Sequence, residues 1–492
     1  MSPRPRLLAS ASRLPLDGAS PIARRPASRR PALALALGAA SLLVACASAP
    51  PPKSTPPVLP AAYPAAADTR PGAALASNWW TLFGDATLDA RVAEALQHNL
   101  DLRLATARID EAAVALGLAR SAQWPQVDLG GSVTRSRVSA FGSQPVSVAE
   151  TTSHRVALST TFEIDLWGRL HNATQAAQDQ LLAAVYARDA VQVALAGTVV
   201  QTVFGVRALD VQLAVLDDQL RQRDESLKLI ERRVAGGLAS GLELAQAQGA
   251  LAAAAAQRPE LLRQRRLLVH QLGVLTGRLD TTLEPSGKAL PLPVRPPAGL
   301  PSELLARRPD VQQAEASMRA AFEQFDVTRK GAWPTLSLTG SFGAQSRDLT
   351  DLLRTGARIW SIGPSLLVSV FDAGRNTART DEARARAEQA ALVYQKATQT
   401  AFRDVADALA NGEQTAAQEA DVERQRKAAD EALCIARRRH EAGYSGYLEV
   451  LDAQRGVLDA ELAAVRVRQA QLDASVNLMK ALGGGWKPPA AR

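Results

Sequence analysis

The residues able to do chemistry are few, and their spacing does not suit catalysis. The five histidines, His98, His154, His171, His270 and His440, stand far apart; none is at metal-ligand spacing from another, and there is no HExxH helix. The Gly-x-Ser-x-Gly nucleophile turn, the P-loop and Gly-x-Gly-x-x-Gly are all missing. Gly236-Gly237-Leu238-Ala239-Ser240-Gly241 is glycine-rich, but it follows a helical run instead of a strand and lacks a lysine. It therefore reads as a turn between helices. The carboxylate pairs Asp217-Asp218 and Asp381-Glu382 sit in charge-rich helical runs, as on a solvated face. The expectation is that the chain is not an enzyme and needs no cofactor. Leu448, Asp452 and Arg455 fall at i, i+4 and i+7, so they share one helix face just past a turn. An ordinary solvated Asp–Arg pair there would contribute only about 0–1 kcal/mol.

Cys46 and Cys434 are the two cysteines. Arg29 and Arg30 precede an apolar run over 31–45, a charged region followed by a stretch too short to span as a mature helix. The run ends in Leu43-Val44-Ala45-Cys46, which resembles the bacterial lipobox, where the signal is cut before the cysteine and the thiol takes a diacylglycerol. Several acyl chains anchor far more firmly than one. Ala47 stands where Asp would resemble an inner-membrane retention signal, so the outer membrane is expected. Residues 1–45 are thus read as a signal peptide, and the Pro- and Ala-rich stretch 46–75 as a lipidated, extended tether. With Cys46 acylated, Cys434 has no disulfide partner and reads as a half-buried small apolar residue.

The elements that would carry these residues are helices of small side chains. Of the 492 residues 47% are hydrophobic but only 4% aromatic, so alanine supplies the apolar content that closely packed helices use. A mean hydropathy of -0.08 excludes a polytopic helical membrane protein. The formal charge is +8, but residues 1–45 hold seven arginines against Asp17, a net of +6, which leaves +2 for the rest. That is no electrostatic footprint for nucleic acid, and no nucleic-acid partner is expected.

The chain is a duplication. Asn99-Leu100-Asp101-Leu102 aligns with Arg308-Pro309-Asp310-Val311, Trp124-Pro125 with Trp333-Pro334, Gly168-Arg169 with Gly374-Arg375, and Leu242-Glu243 with Leu448-Glu449. The boundaries expected are 76–286 for the first repeat, 287–486 for the second and 487–492 for a tail. In each repeat a helix (89–122; 300–331) gives way at Trp-Pro to alternating runs. The apolar sets are Val127, Leu129 and Val133, then Val156, Leu158, Thr160, Phe162 and Ile164; in the second repeat they are Leu336, Leu338 and Phe342, then Trp360, Ile362, Leu366, Val368 and Val370. Period-2 alternation fits membrane strands and a half-buried soluble sheet equally well. Pro-free runs over 169–236 and 375–442 follow, each about 100 Å long as helix, and returning helices over 242–276 and 446–481 complete the repeats. Leu213, Leu220, Leu227 and Val234 form a heptad seam, and Gly236-Gly237 and Gly443 mark the turns at the far end. Four strands cannot close a barrel, and an open edge is intolerable in hydrocarbon. The barrel must therefore be shared by two, three or four copies. The segments 139–152 and 345–358 between paired strands read as cell-surface loops.

These residues resemble the TolC-type outer-membrane factor family, in its lipoprotein branch typified by OprM. The resemblance covers about residues 76–486. It rests on Trp79-Trp80-Thr81-Leu82-Phe83-Gly84-Asp85, Phe162-Glu163-Ile164-Asp165-Leu166-Trp167-Gly168-Arg169, Arg308-Pro309-Asp310-Val311, Phe371-Asp372-Ala373-Gly374-Arg375, Leu451-Asp452-Ala453-Gln454-Arg455 and Ala481-Leu482-Gly483-Gly484-Gly485-Trp486. It implies an α+β membrane protein: a homotrimer with a twelve-stranded outer-membrane β-barrel, four strands per chain, continued by a long periplasmic α-helical barrel. It also implies a periplasmic adaptor (membrane-fusion protein), an inner-membrane pump of the resistance-nodulation-division class, and passive export of small solutes. It makes Leu448, Asp452 and Arg455 a periplasmic gate, and makes the turns at Gly237–Leu242 and Gly443–Leu448 adaptor-docking sites. The other reading open to the residues is a lipid-anchored periplasmic coiled-coil adaptor or scaffold. Such a chain would carry one helical hairpin and no membrane strands.

Overall fold

The computed structural model describes residues 60, 62–63, 75–139, 150–286, 289–299 and 301–487. Cys46, the signal region and most of the tether lie outside the described residues, as does Gly142 in the first strand loop. In the first repeat, α1 (Ala86–His98) and α2 (Leu100–Ser121) lead into β1 (Gln126–Arg137) and β2 (Glu150–Ile164), followed by α3 (Arg169–Ala235), α4 (Gly241–Ala255) and α5 (Gln257–Thr276). In the second, a short turn of helix at Leu304–Arg307 precedes α6 (Pro309–Lys330), β3 (Thr335–Ser346), β4 (Arg358–Leu367), α7 (Arg375–Glu441) and α8 (Tyr447–Ala481). Both long helices have 67 residues, about 100 Å each, and end within a residue of the Pro-free runs.

Glycine closes both long helices in the same way. Gly237 and Gly443 take φ of 74° and 75°, the left-handed region open to a residue without Cβ. Leu238 N–H then bonds Arg233 O at 2.8 Å, and Tyr444 N–H bonds Arg439 O at 2.8 Å.

Three expected helices are broken. The first, over 89–122, parts at Asn99, whose ψ of 132° leaves the helix while its Oδ1 accepts the Leu102 N–H. The run over 300–331 breaks at Arg308, between the short turn Leu304–Arg307 and a long helix that starts at Pro309, which suits the first helical position because it has no N–H to satisfy. The run over 242–276 divides at Ala256, where Pro259 can neither donate to the preceding turn nor clear its carbonyl. The second-repeat equivalent, α8, is unbroken. Strand β4 stops at Leu367, so Val368 and Val370 lie beyond it.

Strands pair antiparallel in the order β1-β2-β3-β4, which leaves β1 and β4 as free edges. The main helical core lies midway along α3. Val199, Val200, Val203, Phe204 and Val206 meet Trp79, Phe83, Leu88 and Val92, together with Leu272, Leu472 and Met479. Phe83 and Phe204 meet edge to face at 4.9 Å. Part of α3 is apolar and long enough to cross a membrane, but 72% of that stretch is buried inside the protein, so it is core and no span. In the heptad seam Leu213, Leu220, Leu227 and Val234 are half-buried. The fully buried set sits three residues on, at Leu216, Arg223 and Ile230. Cys434, expected to be half-buried, is exposed, because the buried positions of that turn are Leu433 and Ala436.

Candidate functional site: the sheet lumen and the helical tip

Antiparallel register gives the sheet two unlike faces. One face carries Val127, Leu129 and Val133 from β1, paired on the same side with Thr160, Leu158 and His154; Leu158 pairs with Phe342, and Phe342 with Trp360. The opposite face is Ser, Thr, Gly and Gln at most positions. A half-buried soluble sheet would cover its apolar face. Here that face is bare, with Leu129 72% and Trp360 74% exposed. Its apolar band runs from Val133 to Ile164. At about 6.7 Å per pair of residues and a tilt near 40°, it rises roughly 25 Å, the height of a bilayer's apolar band. The bare face suits lipid and the small-polar face suits a water-filled lumen, which removes the ambiguity of the alternation.

At the junction of strands and helices, Glu163 accepts two bonds from Arg169, at 3.1 and 2.7 Å. Trp167 Nε1 donates to Pro334 O at 2.7 Å, and its ring meets Trp333 edge to face at 5.2 Å. Asp165 accepts from His171 N–H, and Asp372 from Gly374 and Asn376 N–H, so a carboxylate caps the start of each long helix.

At the opposite end the gate candidates share an exposed face of α8, with Leu448 61% exposed. Within the chain Arg455 does not reach Asp452. Its Nε lies 3.9 Å from Asp459, one turn further on, and Asp452 has no ion pair among the described residues. Behind this face Arg223 of α3 is buried and donates to Ala250 O at 2.9 Å. Burial pushes its pKa down, while the neighbouring Tyr447 and Asp459 oppose the shift. Tyr447, also buried, is pushed up. Sequence reasoning missed this layer. The signal available was an arginine at the heptad position three residues past Leu220.

Of the docking candidates, Leu242 and Leu448 are exposed and Gly237 and Gly443 form the turns. The residues after those glycines, Leu238 and Tyr444, are more exposed still, at 83% and 81%, and were also missed. They follow directly on the glycine that ends each helix. Among the described residues no three His, Cys, Asp or Glu side chains are grouped as a metal site.

The model of the outer membrane efflux protein family matches residues 92–278 and 300–484, one match per repeat. This chain belongs to that family. It is 34% identical over 473 residues to the outer membrane protein OprJ of Pseudomonas aeruginosa, covering 94% of this chain and 97% of OprJ. It is 31% identical over 415 residues to the cation efflux system protein CusC of Escherichia coli O157:H7, covering 84% of this chain and 89% of CusC. The solved outer-membrane channel OprN superposes with a TM-score of 0.83 at 28% identity, covering 89% of this chain and all of OprN's. The family is that of the TolC-type outer-membrane factors, built as a β-barrel continued by a long helical barrel. This efflux protein is therefore an outer-membrane channel component, placed in the outer membrane and extending into the periplasm. The adaptor reading falls, because the chain has two long helices and two strand pairs. The family is one of channels and not of enzymes.

Proposed function

We propose that three copies close the barrel and the tunnel, forming a duct through which small solutes leave passively. The observation that carries this is the pair of free strand edges, β1 and β4, beside a bare apolar face. The helices support it. In the second repeat α6 packs extensively against both long helices, whereas its counterpart α2 does so against α3 alone. Leu100, Leu104, Val114 and Leu118 of α2 are left exposed, as are Leu392 and Val393 of α7. A neighbouring copy's α7 would complete for α2 what α7 completes for α6. The native mass of the detergent-extracted protein tests the count. Three chains are expected, two or four would refute the number, and a lone chain would refute closure.

The duct works with a periplasmic adaptor and an inner-membrane pump of the resistance-nodulation-division class. The adaptor docks on the tips around Gly237–Leu242 and Gly443–Leu448, with Leu238 and Tyr444 as first contacts. A bulky residue at Gly443 would strain a φ of 75°, so it confuses docking with folding. Leu238→Asp with Tyr444→Asp avoids this. Drug resistance should fall at unchanged outer-membrane abundance, and full resistance would exclude these tips. Leu448, Asp452 and Arg455 close the resting tip, Arg455 pairing with Asp459 in its own chain and Asp452 remaining for a neighbour. A diacylglycerol on Cys46 anchors the chain. Fatty-acid label should mark wild type and not Cys46→Ser, and equal label would exclude it. The strand loops at 139–152 and 345–358 face the cell exterior.

A further inference from the structure

The small-polar face of the sheet carries three charged side chains: Asp128, Arg155 and Glu163. Glu163 is neutralised by Arg169 at the helical end. Arg155 is exposed, has no ion pair among the described residues, and stands in register between Ser132 and Gln345, both uncharged. The other arginines of this pair of strands, Arg135 and Arg137, lie on the opposite face and share Glu150, at 2.8 and 3.9 Å. Residues 140–149 contain no charged side chain that could serve as a partner. Asp128 sits four residues nearer the helices along β1, about 13 Å away in an extended strand. Neither β3 nor β4 places a charge on this face, so a neighbouring copy closing on β4 brings only its own Asp128 within the sheet.

We propose that Arg155 is a selectivity-determining residue of the duct, forming an anion-favouring ring of three guanidiniums at the strand-loop end of the lumen, with Asp128 as an opposed ring deeper in. This rests on the three-copy barrel proposed above. Rotational symmetry puts the three Arg155 side chains at one height whatever the shear of the barrel. An arginine stays charged at any working pH and offers a fork that matches carboxylate or phosphate oxygens. Walls of strand and lipid focus the field of such a ring. At physiological salt the field decays over about 8 Å, so the Asp128 ring cancels little of it. The ligand class is small multivalent oxyanions, held briefly at the outer mouth, while cations are repelled there. The channel function leaves this bias unassigned; among the strand residues of the lumen face Arg155 is the one cation, set against Asp128 deeper in and a Glu163 already neutralised by Arg169.

The test is single-channel recording in a planar bilayer at about 0.15 M salt, with citrate added on the strand-loop side. Wild type should be blocked at concentrations at least about tenfold lower than Arg155→Ser. Arg155→Lys should keep the block, because the charge remains, and all three proteins should show the same native mass. Equal block of wild type and Arg155→Ser overturns the proposal, as does a wild type that citrate does not block. The three proteins are compared in the Asp452→Ala, Arg455→Ala background, whose tip is expected to be open, and a protein of three-chain mass that conducts nothing in that background overturns the barrel reading itself.

Discussion

The two repeats share an order of elements and differ in how much of their packing lies within the chain. Asn99 and Arg308 occupy aligned positions and reach aligned carbonyls. Asn99 Nδ2 donates to Leu275 O at 3.0 Å, and Arg308 Nη1 donates to Ala481 O at 3.2 Å. Asn99 stops there, as a helix cap. Arg308 adds two bonds to Asp310, at 3.0 and 2.6 Å, and one to Asp404 of α7 at 3.2 Å. The second repeat thus ties its returning helix, its short helix and its long helix together through one buried guanidinium. The first repeat leaves the corresponding flank open. A duplicated chain that assembles in a ring needs both kinds of joint, because half of its repeat-to-repeat contacts fall between chains.

The sharpest contrast is expected at the tip. The residues matching Leu448, Asp452 and Arg455 are Leu242, Gln246 and Gly249, so only the second repeat brings charge. Asp452→Ala with Arg455→Ala should raise planar-bilayer conductance severalfold, and Gln246→Ala should leave it unchanged. Conductance of the double mutant equal to wild type would remove these residues from the gate. Next comes the helix break. Position 465 of α8 corresponds to Pro259. Val465→Pro should cost about 3 kcal/mol or more in chemical unfolding of the solubilised protein. Pro259→Val should change stability by under about 1 kcal/mol, because α5 already starts anew before it. Comparable losses would mean that the break is not what distinguishes the two helices.

Arg308→Ala should destabilise by about 3 kcal/mol, because it strands Asp310 and Asp404, whereas Asn99→Ala should cost about 1 kcal/mol as a lost cap. Equal costs in thermal unfolding would show that the network adds nothing beyond capping. The smallest effect is expected at Asp473, whose counterpart is the uncharged Leu267. Burial pushes the Asp473 carboxyl up to about 6, with Lys480 opposing. The folded chain therefore holds this proton more tightly than the unfolded one, and stability falls as pH rises from about 4 to 6. Asp473→Asn should remove that slope and gain about 1 kcal/mol at pH 7 to 8, with no gain at pH 4. A gain of the same size at both pH values would locate the effect in packing.

Much of the fold was legible because its signals are local. The Pro-free runs predicted both long helices to within a residue, and Trp124-Pro125 and Trp333-Pro334 marked the change from helix to strand. The helix breaks were legible too, in Pro309 and Pro259, but the hydrophobic period runs through both and hides them. The tip was read in outline. Leu448, Asp452 and Arg455 do share one exposed face of α8, but Arg455 turns to Asp459, a fourth position on the same stripe that i, i+4 and i+7 spacing does not reach.

The sequence by itself determined the duplication, the order of elements and the glycine turns, because each depends on residue type and near-neighbour spacing. Only the tertiary structure decided what the apolar strand positions face. Alternation is the same whether a sheet buries its apolar side or bares it; the difference lies in whether another layer packs there, and among the described residues none does. The buried Arg223, the three-way tie at Arg308 and the charge of Arg155, unpaired among the described residues, are of the same kind. Each is set by residues tens or hundreds of positions away, which proximity in the fold brings together or keeps apart.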